Sequence, residues 1–150
     1  MNKIPKTKNK IIEKEIIPKF LEICPEFRKR WEEHLKYWGK DKRGIYIDTA
    51  EFVHFIDDSY GGGDTKKFLK IFEQIEFYLT RGDNKIKDII ALGILETLQN
   101  VASHRKYSYT VFEKWLGPVS KNYWKEIEIM WVGKSNLADV IRSERKSKNY

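Results

Sequence analysis

Apolar residues recur along this chain at three- and four-residue intervals, the spacing that gathers them on one face of an α-helix. A first stripe, Ile12, Ile16, Phe20 and Ile23, predicts a helix over about 9–22. Pro25 suits the first turn of a second helix, where no backbone N–H donor is needed. Phe27, Trp31, Leu35 and Trp38 form its stripe, and Gly39 ends it. Lys40 to Gly44 reads as a charged loop. Ile45 to Ile47 is the one short segment that suits an extended backbone. Asp48 then reads as an N-cap, with Glu51 completing a capping box ahead of Phe52, Val53, Ile56 and Tyr60. Gly61, Gly62 and Gly63 supply a helix end and a connector.

Asp64 predicts the start of a helix carrying Phe68, Ile71, Phe72, Ile75 and Leu79. Gly82 and Asp83 repeat the turn and the cap. The helix that follows, about 84–102, is the most apolar, with Ala91, Ile94, Leu95, Leu98, Val101 and Ala102 in a broad stripe that predicts a central place. Ser108 starts a short helix through Trp115, and Gly117-Pro118 breaks it. Val119 to Val132 forms another, with Trp124, Ile127 and Trp131 inward. Ser135 caps a last helix holding Leu137, Val140 and Ile141. Gly63-Asp64 and Gly82-Asp83 also begin a weak repeat, in which Ile71, Ile75 and Leu79 match Ile90, Ile94 and Leu98. Asp83, Ile86, Lys87 and Ala91 are similar to the second helix of a HEAT repeat, but two units are too few for a solenoid. The expected fold is all-α: an irregular stacked-helix, HEAT-like or bundle, single domain of about seven or eight helices.

Composition bounds this picture. A chain of 150 residues with 41% hydrophobic and 34% charged residues suits one globular domain, not a disordered chain. The formal charge of +7 looks like a nucleic-acid signal until it is located. Residues 1–10 hold four lysines and no acid, and residues 141–150 carry a net +3, so residues 11–140 are neutral. The expected organisation is a basic flexible N-terminal tail (1–10), a helical domain (11–143) and a basic C-terminal tail (144–150). Such tails can add a salt-sensitive attraction to phosphates. No apolar run approaches the roughly 20 residues of a membrane span, and the start of the chain does not read as an export signal. Cys24 is the single cysteine, which excludes a disulfide within the chain and is consistent with a cytoplasmic setting.

Catalytic chemistry is hard to find. Glu51 and His54 lie three apart on a helix, but a carboxylate-bridged metal pair needs a second such motif, and there is none. Cys24 has no cysteine partner at zinc-ligand spacing and no legible base, so it reads as a buried structural thiol. The expectation is no catalytic residues, no metal and no cofactor. One constellation stands apart. Glu96, Gln99, Asn100 and Ser103 share the face of the central helix opposite its apolar stripe, and His104 follows. On so apolar a helix these groups would line a groove or satisfy the backbone of the 104–110 loop. Tyr107, Tyr109 and Trp115 are less tied to any stripe and are candidate interface aromatics.

The segments FLEICPEFRKRWEEHLKYWG (20–39), GILETLQNVASH (93–104) and LGPVS (116–120), followed by Trp124, resemble a family of small bacterial domains of unknown function over about residues 15–132. The family's look is similar to that of immunity proteins, which bind and neutralise the toxin domains used in competition between bacteria. The resemblance implies a non-enzymatic protein-binding module in which Glu96, Gln99, Asn100 and His104 belong to a shared surface or polar network. Immunity proteins against nucleases are often acidic, to meet a basic active site; a neutral core with basic ends departs from that pattern. The alternative class is a nucleic-acid-associated helical protein using its basic tails.

Overall fold

The computed structural model describes the backbone of residues 10–148 and the side chains of 10–133, 141, 142 and 144. Among the described residues there are seven α-helices and no strand: α1 (Ile16–Ile23), α2 (Arg28–Trp38), α3 (Ile45–Gly61), α4 (Phe68–Arg81), α5 (Asn84–Ile90), α6 (Thr97–Ser103) and α7 (Pro118–Lys148). Short 3-10 stretches precede α1 and α2, and a longer one, Tyr109–Trp115, leads to α7.

The broad apolar stripe does sit at the centre. Ala91, Ile94, Leu95, Leu98 and Ala102 are all buried, and the rod from α5 to α6 touches α3, α4, α7 and the Tyr109–Trp115 stretch. It is not one regular helix. Ala91–Glu96 winds as a π-helical turn between α5 and α6, and Thr97 Oγ1 donates to the Leu92 carbonyl five residues back, at 3.1 Å. Gly93 lies in this turn because α3 presses on it: a Cβ there would stand 2.6 Å from Thr49 Oγ1. Two ring clusters flank the rod. Phe20 stacks on Phe52 at 4.4 Å, with Phe27 edge-on at 5.0 Å. At the other end Phe68, Phe72, Phe112 and Tyr60 pack around Trp115.

Several local expectations are corrected. Ile45 to Ile47 is helical, not extended, and forms the first turn of α3 after Gly44. Asp48 is therefore not a cap; its Oδ1 is taken by Arg43 Nε at 2.8 Å and lies 2.9 Å from His34 Nε2. α4 begins at Phe68, four residues beyond Asp64, whose carboxylate accepts from the Lys66 amide two residues on. Asp83 caps as expected, accepting from the Ile86 amide at 2.9 Å. The α1 helix begins at Ile16 after a 3-10 turn, not at residue 9. Ser108 adopts a left-handed backbone (φ 64°) and leads into a 3-10 stretch rather than an α-helix. Trp131 is partly exposed rather than inward. No last helix starts at Ser135: α7 runs unbroken through it, and through the expected C-terminal tail as far as Lys148. The side chains of Leu137 and Val140 lie outside the described residues, and Ile141 is exposed.

The start of α7 explains the LGPVS segment. Glu76 of α4 accepts from the Val119 amide at 2.9 Å, the Ser120 amide at 2.8 Å and the Ser120 hydroxyl at 2.7 Å. It supplies from another helix the carboxylate that an N-cap normally provides locally. Gly117 is required because a Cβ would stand 2.5 Å from the Glu76 carboxyl carbon. Burial works to raise the Glu76 pKa, but the three hydrogen bonds outweigh it and hold the group below its ordinary range.

Candidate functional site

α7 crosses α4 and the π-helical turn, with Trp124 and Ile127 buried against the core. Trp124 joins α7 to the polar face of α6. Its carbonyl accepts from Gln99 Nε2 at 2.9 Å, and its indole N–H donates to Glu113 at 3.3 Å. Beyond that junction the two helices and the start of the 3-10 stretch enclose a cavity of about 210 Å3. Gln99, Asn100 and Ser103 line it from α6, Tyr109 from the 3-10 stretch, and Glu128, Trp131 and Val132 from α7.

Four residues singled out from the sequence thus meet at one place: Gln99, Asn100, Ser103 and Tyr109. Gln99 is buried, whereas Asn100 and Ser103 are exposed. Tyr109 donates to Glu128 Oε2 at 3.0 Å. Burial first, and then this bond to a carboxylate, push its phenol pKa upward. The other four lie elsewhere. Glu96 is half-buried one turn earlier on the rod and does not line the cavity; His104 is exposed past the end of α6. Trp115 belongs to the aromatic cluster under α4, with the Lys114 ammonium 4.4 Å from its ring centre.

Tyr107 belongs to a second polar assembly, on α3. Asp57 is fully buried, and its carboxylate accepts from the Tyr107 hydroxyl and, at 2.8 Å, from Arg105 Nε. Burial first, then the hydrogen bond to Asp57, push the Tyr107 pKa strongly up. Arg105 also reaches Asp58 at 3.0 Å, and Arg30 of α2 reaches Asp58 at 2.8 Å and Glu51 at 2.9 Å. The loop after α6 is thereby fastened to α3. Glu51 is committed to Arg30, while His54 is exposed. Among the described residues no group of His, Cys, Asp and Glu is arranged to hold a metal ion. Cys24 is buried, and burial, reinforced by Glu26, pushes its thiol up to about 12, which makes it a poor nucleophile.

Sequence reasoning missed Glu128, Val132, Glu76 and Asp57. For Asp57 the signal was an acid adjoining Ile56 on the inward arc of α3. For Glu128 it was an acid one turn past the buried Trp124. A larger cavity, of about 570 Å3, lies between the first turns of the chain and α4, lined by side chains that include Lys14, Glu15, Lys19 and Glu22. It mixes both charge signs and contains none of the residues singled out above.

Fold and site define an all-helical domain with a small cavity of mixed polar and apolar lining between α6 and α7. The family model described as Domain of unknown function (DUF7674) matches residues 17–132, and the chain belongs to that family. The match includes every residue lining the cavity and ends at Val132. No curated protein and no solved structure matches the chain. Among the described residues, no helix is long and apolar enough to cross a membrane.

Proposed function

We propose that this chain is a non-enzymatic protein-binding module, an immunity-type inhibitor that neutralises a bacterial toxin domain in the cytoplasm. It acts by covering the toxin's active site or a surface that its activity needs. The observation that carries the binding reading is the pair of exposed apolar side chains one turn apart on α7, Ile129 at 71% and Val132 at 59%. An apolar patch rimmed by polar residues is a common mark of a protein interface. Here Lys125 and Glu128 flank the apolar hollow around Ile129, and Val132 lines both that hollow and the cavity that Asn100 and Ser103 line. The toxin assignment rests on the resemblance of residues 20–39, 93–104 and 116–120 to a bacterial domain family of unknown function whose look is similar to that of immunity proteins.

The test is affinity capture from the encoding organism with the wild type and an Ile129→Ser/Val132→Ser variant, after nuclease treatment and at high salt. One stoichiometric protein is expected on the wild type and absent from the variant. Its toxic activity should vanish on adding one equivalent of this chain. Equal recovery by both forms contradicts the α7 surface. Partners lost on nuclease treatment, or on deletion of residues 1–8 and 144–150, would instead assign the chain to nucleic acid.

A further inference from the structure

The cavity between α6 and α7 is too small for most small-molecule sites, which run about 300–1,000 Å3, and suits one side chain. Its chemistry is one-sided. Among the described residues, Glu128 is the one charged group lining it. Three donors are spent inside the protein: one N–H of Gln99 Nε2 on the Trp124 carbonyl, the Ser103 hydroxyl on the Asn100 carbonyl at 2.6 Å, and the Tyr109 hydroxyl on Glu128. The acceptors that remain are the Gln99 and Asn100 amide oxygens, the Ser103 oxygen and the second Glu128 oxygen, beside the amide N–H groups of Gln99 and Asn100. Trp131 adds an indole wall and Val132 an apolar lip. Lys125, one turn before Glu128, lines the neighbouring hollows and not this one.

We infer that this cavity is an anchor pocket for a single arginine side chain of the protein partner, which deepens the protein-binding reading and rests on it. A guanidinium carries five N–H donors and no acceptor, matching a pocket whose one charged group is a carboxylate with neutral acceptors beside it, and the arginine stem suits its apolar wall. An arginine held this way beside Ile129 and Val132 has the makeup of an interface hot spot, a desolvated anchor ringed by apolar contacts. The basic preference is then local, which a neutral folded core permits.

The test is an NMR titration of the nitrogen-15-labelled chain with N-acetyl-arginine amide and its neutral isostere N-acetyl-citrulline amide. The arginine probe should shift the Gln99 and Asn100 side-chain amides and the Trp131 indole N–H, and bind at least about tenfold more tightly than citrulline. Glu128→Gln keeps an acceptor for Tyr109, so the spectrum should stay dispersed while arginine drops to the citrulline level. Asn100→Ala, an exposed change, should weaken arginine a few-fold. Equal binding of the two probes, shifts that miss these three groups, or full arginine binding by Glu128→Gln would overturn the pocket. A partner that needs Ile129 and Val132 yet binds Glu128→Gln at full strength would overturn the pocket and leave the protein-binding reading intact. Arginine binding as expected, with no α7-dependent partner, would do the reverse.

Discussion

Two polar assemblies sit on this domain, and they differ in where their hydrogen bonds go. On α3, Asp57, Asp58 and Glu51 are answered from within the chain by Tyr107, Arg105 and Arg30. Between α6 and α7, Gln99, Ser103 and Tyr109 each make one internal hydrogen bond and also line a cavity. The first is closed and holds the loop of residues 104–108 to α3. The second is open on one side. Polar residues of similar type therefore carry different roles, and partner saturation, not residue identity, separates them.

The largest expected effect lies in the closed assembly. Asp57→Ala removes the buried carboxylate that Tyr107 and Arg105 share, leaving the Tyr107 hydroxyl only the residue 57 carbonyl at 3.1 Å, so it should cost about 1.5–3 kcal/mol through the lost Tyr107–carboxylate bond. Thermal unfolding should register this as a drop of roughly 4–10 °C. Next comes the cap between helices. Glu76→Ala leaves the Val119 and Ser120 amides unanswered, and about 1–2 kcal/mol should be lost in urea denaturation. Gly117→Ala should act through the same site by pushing the Glu76 carboxyl away.

A smaller effect is the pH dependence of that cap. The Glu76 pKa is depressed in the folded state. Its stabilisation is therefore present above the unfolded-state value and lost as pH falls through the folded value. Between neutral pH and the acid side of the glutamate range, the wild type should lose stability more steeply than Glu76→Gln. The smallest effect on stability is expected at the open assembly. Asn100→Ala and Ile129→Ser/Val132→Ser should each stay within about 0.5 kcal/mol of wild type, as exposed substitutions usually do. A large loss of stability there would place the cavity with the closed assembly and erase the contrast.

Much of the fold was legible because periodicity reports burial directly. The stripe from Ala91 to Ala102 reads as central, and it is. Local chemistry was read less well wherever a distant group competed. Asp48 has the sequence context of a cap, but Arg43 and His34 claim its carboxylate. Glu76 looks like an ordinary surface acid of α4, and its role appears only once α7 begins beside it, forty-odd residues later. The strip on α6 was visible as amides opposite an apolar face. Its partners across the cavity, Glu128 and Val132, were not, since no local pattern encodes how α7 crosses α6. Trp131 has the spacing of a core residue, yet among the described residues of α7 none after Ile127 is buried, and Trp131 lines the cavity instead.

The central claim is that the α6–α7 face is the contact surface and the α3 assembly is internal architecture. Hydrogen–deuterium exchange of the chain with and without its captured partner tests it most directly. Added protection confined to residues 96–103 and 127–133, with exchange over 45–61 unchanged, is the result the account predicts. Protection centred on α2 and α3, with α7 exchanging as in the free chain, would contradict it.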